Sequence, residues 1–322
     1  MVGEGNSLEL RAQKLVEEGL KAYGNSEISK AVCLLNEAVP LLKQVNNIDL
    51  VRNVLTEMGQ MHYEIGDYQA ALKDFEEKLE IVSETGNISE EIETLMGISH
   101  IHLILRNYPS VLKCLKRVSS LAHDIGDFED EKIAFLGIGT VYETFGKYSS
   151  ALRCFRETAR INHALGKFEA EGDMLLRAAK AYVKLEKYSA ALITFLEALR
   201  VMKEIGNRKG EAAALQGIGN MYSEFEDNED ALMCYEKALD IYQELGNRTQ
   251  EEDVLRKIGE TYAKLKNYMN AIKYFEDALD AAKKIKGHEN GETIRGTIKK
   301  LQTSSKIYGI DPKYFHLNMT KN

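Results

Sequence analysis

The sequence predicts an all-α chain built of stacked helical hairpins. Three observations carry that expectation. Apolar residues fall at helical spacing in paired runs, short turns ending in Gly-Asn or similar separate the pairs, and the whole pattern returns every 40 residues. The stretch from Leu175 to Asn207 shows the unit. Leu175, Ala178, Ala179 and Tyr182 share one face of a first helix, and Ala191, Leu192, Phe195, Ala198 and Leu199 share one face of a second. Small residues at Ala179, Ala191 and Ala198 let the two backbones approach, and Tyr182 and Phe195 fill the space beside them. Gly206 suits the left-handed position that ends a helix, because it has no Cβ. Two helices of this size cannot bury both faces alone, so the unit needs neighbours.

The copies hold register. The Ala191 position recurs as Ala31, Ala71, Val111, Ala151, Ala231 and Ala271, and the Ala179 position as Gly19, Gly59, Ser99, Gly139, Gly219 and Gly259. Tyr182 recurs as Tyr142, Tyr222 and Tyr262, with His62 and His102 in two copies. Phe195 recurs as Phe75, Phe155, Tyr235 and Phe275, and Gly206 as Gly86, Gly126, Gly166 and Gly246, with Asn46 first and Gly287 shifted by one at the end. Gly219, Tyr222, Ala231, Tyr235 and Ala238 match the tetratricopeptide motif position by position, and the chain resembles that repeat over roughly residues 8 to 306. The usual period is 34; the longer one here is similar to that of Pins-type adaptors, kinesin light chains and rapsyn. The resemblance implies a right-handed α-solenoid of about seven hairpins with a C-terminal capping helix, and a protein-binding role.

In chain order, residues 1 to 7 are expected to fray, and repeats are expected near 8–46, 47–86, 87–126, 127–166, 167–206, 207–246 and 247–287, as a single domain. First helices are predicted from residue 49 at intervals of 40, and second helices from residue 69 likewise. Pro40 should kink the second helix of the first repeat. Pro109 opens a second helix, where its missing N–H costs nothing. Thr249 and Glu252 have the spacing of a capping box. Residues 290–306 read as the capping helix, with Ile294, Ile298 and Leu301 on its apolar face. The tail 307–322, with Tyr308, Ile310, Tyr314, Phe315 and Leu317, is apolar for an idle tail, and is expected to pack back, with a partner contact or disorder as the alternatives.

Composition excludes several classes. With 42 basic and 50 acidic residues, and pI near 5.6, the chain lacks the basic stripe of a nucleic-acid binder. No signal-peptide pattern or apolar run of about 18 residues is visible, so a soluble cytoplasmic chain without membrane contact is expected. Cys114, Cys154 and Cys234 occupy one position in three repeats, too far apart to pair, and no CxxC pair points to zinc. Gly137-Ile138-Gly139 and Gly217-Ile218-Gly219 lack a third glycine and lie in helical patterns, so they read as packing positions rather than nucleotide loops. His100 and His102 sit two apart and should not share a metal. No catalytic motif is present, and neither an enzyme activity nor a cofactor is expected.

The resemblance implies that first helices line the concave face. By register the residues there are Gln60 and Tyr63; Met96, His100 and Leu103; Leu136 and Thr140; Leu176, Lys180 and Lys184; Gln216 and Asn220; Arg256 and Glu260. Two placements stay open for the apolar members: lining the groove, or packing between neighbouring first helices. A groove of this kind fits an amphipathic or extended peptide, anchored centrally by apolar contacts and by charge toward repeats five to seven. Lys180 and Asn220 match a carboxylate clamp only singly, and Asn220 alone matches the asparagine series of Pins-type adaptors. The expected role is a non-catalytic scaffold holding a protein or peptide. The alternative is a structural subunit of a cytoskeletal or axonemal assembly, contacting neighbours through its convex face and tail.

Overall fold

The computed structural model describes residues 2–285 and 291–307, and among these it contains fifteen helices and no strand. The first seven are α1 (Val2–Gly24), α2 (Ile28–Gln44), α3 (Ile48–Glu64), α4 (Tyr68–Thr85), α5 (Ile88–Ile104), α6 (Tyr108–Ile125) and α7 (Phe128–Thr144). The next four are α8 (Tyr148–Ala164), α9 (Phe168–Lys184), α10 (Tyr188–Glu204) and α11 (Arg208–Glu224). The last are α12 (Asn228–Glu244), α13 (Arg248–Lys264), α14 (Tyr268–Lys283) and α15 (Gly291–Ile307). First helices thus begin one residue earlier than the sequence pattern placed them.

Capping sets those boundaries. The side chains of Asn47, Asn87, Asn107, Asn207, Asn247 and Asn267 each accept the backbone N–H three residues on, satisfying a donor that the first turn leaves open. Asn247, not Thr249, therefore caps α13, and the predicted capping box gives way to a cap two residues earlier. Helix α1 reaches back to Val2 rather than fraying through residue 7. Helix α2 continues through Pro40 to Gln44.

The helices end on a backbone signal that recurs every 20 residues. From Ser26 to Lys266, one residue at each join adopts φ between 56° and 79°. Joins between successive hairpins place Gly86, Gly126, Gly166, Gly206 and Gly246 there; joins within hairpins include Arg106, Glu186, Glu226 and Lys266, which carry a Cβ in a region that disfavours one.

The chain divides into two compact units, Met1–Val141 and Tyr142–Asn322, with the division inside α7. In the first unit α1/α2, α3/α4 and α5/α6 form antiparallel pairs, and the first two pairs pack on the next first helix, α2 with α3 and α4 with α5. Leu35, Leu42, Met58 and Met61 are fully buried in one cluster, while Ile92, Ile98, Val118 and Ala134 are buried in another. Burying side chains of that size contributes about 1.5–3 kcal/mol each relative to exposure. In the second unit α9/α10, α11/α12 and α13/α14 are the pairs, α8 packs on α9, and α15 packs on α14. Ile294 and Ile298 of α15 are buried with Phe275 and Ile258, as the apolar face of a capping helix requires. Gly287 and the tail from residue 308 onward lie outside the described residues.

Position by position, small first-helix residues sit under large second-helix ones. A Cβ at Gly59 would lie 2.8 Å from the ring of Phe75, and one at Gly219 would lie 2.7 Å from that of Tyr235. Three residues after Gly59, His62 adds a polar contact: its Nδ1 is 2.6 Å from Oδ2 of Asp74, which is buried while His62 is half-buried. Burial pushes the Asp74 carboxyl above its ordinary 3.8, and the hydrogen bond and charge of His62 oppose it.

Candidate functional site

In the second unit α9, α11 and α13 are successive first helices, and α9 touches α11 directly. Their shared face holds a cavity of about 610 Å³. Helical spacing explains its lining: Lys180 and Lys184 of α9, Gln216, Asn220 and Glu224 of α11, and Lys257, Glu260 and Lys264 of α13 follow steps of three or four residues along one face. Phe195, Tyr235 and Tyr242 close the cavity from the second helices.

The polar groups there are held from below. The hydroxyl of the buried Tyr235 donates to Oδ1 of Asn220 at 2.8 Å. That leaves the Asn220 amide nitrogen without an acceptor among the described residues. Gln216 is fixed at both ends: its Oε1 accepts from the Tyr242 hydroxyl at 3.1 Å and its Nε2 donates to Oδ2 of Asp253 at 2.6 Å. Burial, reinforced by Asp253, pushes the Tyr242 phenol up to about 12. Burial also raises Tyr235. Both therefore stay protonated donors at neutral pH.

Four lysines and two glutamates give the cavity a net positive rim. Lys264 Nζ donates to Oγ of Ser223 at 2.8 Å, and Lys257 lies 3.4 Å from Glu260. Lys180 and Lys184 are exposed and have no ion pair among the described residues. The site can bind: it offers cationic side chains, a free amide donor and an apolar floor. Among the described residues no three His, Cys, Asp or Glu side chains are placed to share a metal ion.

These hairpins, with a small residue under each aromatic and helices of nearly equal length in strict register, match known folds. A C-terminal part of a TPR repeat-containing protein from Cytophaga hutchinsonii aligns with TM-score 0.50 and 14% identity, over 86% of this chain and 98% of that one. A signal transduction ATPase with numerous domains from Pyrococcus horikoshii, which has a tetratricopeptide repeat sensor, aligns with TM-score 0.56 and 16% identity. The fold is of the tetratricopeptide type. In the Pyrococcus case 95% of this chain aligns with 48% of the other, so it spans about half of that protein. BtubC (BKLC) from P. vanneervenii aligns with TM-score 0.50 and 16% identity over 69% of this chain and 85% of its own. The family model of soluble NSF attachment protein, SNAP, matches residues 135–286. No curated protein sequence matches the chain.

Of the tetratricopeptide first-helix residues picked out by register, Lys180, Lys184, Gln216, Asn220 and Glu260 line the one cavity. Arg256 lies beside it, paired with Asp253 and with Glu260 at 2.6 Å. Leu176 is only 8% exposed, so it takes the packing placement rather than the groove placement. In the first unit Gln60, His100 and Thr140 are exposed, while Tyr63, Met96 and Leu136 are half-buried. Leu103 is 47% exposed. Tyr63 and His100 meet, hydroxyl to Nε2, at 3.0 Å.

Register also held residues the selection missed. Stepping 40 from Lys184 reaches Glu224 and then Lys264, both in the lining. Tyr235 and Tyr242 lie on second helices, and only the exchange of Phe for Tyr at position 235 pointed to a hydroxyl with a task.

Proposed function

We propose that the chain is a non-catalytic interaction scaffold whose second unit holds an extended acidic segment of a protein partner across α9, α11 and α13. The observation that carries this reading is the convergence of five register-selected residues on one cavity whose two unpaired lysines face solvent. Carboxylates of the partner would meet Lys180 and Lys184, and a backbone carbonyl would take the free amide of Asn220. The match to a family of attachment proteins covers the whole cavity and supports the same reading. Residues 8–306 act as one repeat domain in this proposal, since the 40-residue register runs unbroken through residue 141.

No helix among the described residues is long and apolar enough to cross a membrane. The four cysteines are free, which suits a reducing compartment, so the proposal places the scaffold in the cytoplasm.

The test is a fluorescence-anisotropy titration with an extended Asp/Glu-rich peptide, wild type against a Lys180→Glu, Lys184→Glu double variant. Both positions are exposed, so folding should survive. Affinity should fall about tenfold or more, with a shallower salt dependence. Equal binding by the two proteins would reject this site.

A further inference from the structure

The same register that builds the cavity in the second unit can be followed into the first, and the chemistry found there is opposite. Positions equivalent to Lys184 and Lys264 are Glu64 on α3 and Ile104 on α5. The position equivalent to Lys257 is Glu57 on α3, and the one equivalent to Ala213 is Glu93 on α5 and Ile133 on α7. The position of Gln216 is filled by Met96 and Leu136.

The first unit ties this face together through its own contacts. Tyr23 donates to Glu64 at 2.7 Å, joining α1 to α3. Tyr63 meets His100 at 3.0 Å, with ring centroids 5.8 Å apart, joining α3 to α5. Glu93 on α5 acts on Asp130 at the start of α7: burial first, then Asp127, Glu93 and Glu129, push the Asp130 carboxyl above its ordinary range. The Tyr23 phenol is likewise raised, by its bond to Glu64, by burial, and by the charges of Glu64 and Glu57.

Among the described residues, the three helices α3, α5 and α7 themselves supply no cation left over to answer these acids. Helix α5 has neither Lys nor Arg, and α3 and α7 have one each: Arg52, paired with Asp49 and Glu90, and Lys132, paired with Glu129. Between the acids run large apolar side chains open to solvent. Leu103 is 47%, Ile104 39% and Ile133 42% exposed, beside the half-buried Met96 and Leu136. An apolar strip with an uncompensated acidic border is complementary to a helix with apolar residues along one side and lysines or arginines along the other.

We propose that the α3–α5–α7 face of the first unit is a docking surface for a cationic amphipathic helix of a protein partner. Its apolar residues would seat on Leu103, Ile104, Ile133 and Met96, and its basic residues on Glu57, Glu64 and Glu93. This site is separate from the lysine-rimmed cavity of the second unit and does not depend on it.

The experiment uses the full chain and three labelled peptides read by fluorescence anisotropy. One is a Leu/Lys amphipathic helix of about 18 residues, or five turns; one has the same composition scrambled; one has Glu in place of Lys. The amphipathic Leu/Lys peptide should bind, and the scrambled one should bind at least about tenfold more weakly, because net charge alone does not supply the apolar seat. A Glu64→Lys, Glu93→Lys variant should lose about tenfold in affinity, and Leu103→Ser should lose several-fold with the salt dependence unchanged. All three positions are exposed, and far-ultraviolet circular dichroism checks that the helices persist. Lys180→Glu with Lys184→Glu should leave Leu/Lys binding unchanged, so failure of the second-unit site is read separately. Equal binding of ordered and scrambled peptides, or wild-type affinity in the charge-reversed variant, would overturn the proposal.

Discussion

Tyr235 on α12 donates its hydroxyl to Asn220 on α11 at 2.8 Å, directly over Gly219, which has no Cβ to keep the ring away. One packing position therefore sets the aim of one binding group. Gly219→Ala would place a methyl 2.7 Å from the Tyr235 ring. Alanine favours the helix by up to about 1 kcal/mol, but overpacking costs about 1–3 kcal/mol. A net loss near 1 kcal/mol is expected in urea unfolding, with weaker capture of the acidic peptide as Tyr235 moves and Asn220 loses its support.

Leu176 and Lys184 separate folding from binding on the same helix. Leu176 is buried, so Leu176→Glu puts an unpaired charge among apolar neighbours and should cost more than about 3 kcal/mol. Lys184→Glu lies at the cavity mouth and should leave the midpoint of unfolding within about 0.5 kcal/mol while weakening the acidic peptide. Chemical denaturation and anisotropy on the two variants check this. Equal stability of the two would contradict the burial of Leu176.

Alkaline pH should act through Tyr242. Its folded phenol is raised to about 12, whereas an unfolded tyrosine ionises near 10. The folded state therefore holds this proton more tightly. Stability from this group is complete below pH 10 and is lost as pH rises toward 12. Absorbance at the phenolate band should show Tyr242 silent until that range, and Tyr242→Phe should flatten the alkaline loss. The phenylalanine variant also frees Gln216 Oε1, so its stability at neutral pH should fall by about 1 kcal/mol.

Acid should act in the opposite sense at Asp74. Its folded carboxyl is raised above 3.8 by burial, so the folded chain binds that proton more readily than the unfolded chain. Between the raised value and 3.8, falling pH adds stability through this group. Asp74→Asn removes the term, and the variant should lose stability more steeply than wild type on acidification through that window. Parallel urea series at stepped pH decide it.

Much of this was legible because the repeat constrains everything at once. The 40-residue register carries the helix pairs, the small positions and five residues of the cavity wall, Lys180, Lys184, Gln216, Asn220 and Glu260. What it hid has physical reasons. The 20-residue rhythm of left-handed joins was invisible because Arg106, Glu186, Glu226 and Lys266 do not look like turn residues. The cap of α13 lies two residues before the expected Thr249 because Asn247 and Thr249 are both good cap types, and only the hydrogen bond from Gln250 chooses between them. Leu176 could not be told from a groove residue by spacing, since the face that packs on a neighbour and the face that greets a ligand lie one helical step apart. The His62–Asp74 contact ties the two helices of one hairpin through a polar pair that spacing did not mark: Asp74 stands where other repeats place Cys114, Cys154 and Cys234.

Five of the within-hairpin joins, at Ser26, Arg106, Glu186, Glu226 and Lys266, hold a side-chain-bearing residue at φ between 56° and 65°. Exchanging Arg106, Glu186, Glu226 or Lys266 for glycine relieves a conformation that costs an L-residue about 1–2 kcal/mol, offset in part by the looser unfolded chain. None of the four lines the lysine-rimmed cavity or the acidic strip. They are handles for toughening the molecule against heat while its recognition chemistry stays as it is, one hinge at a time.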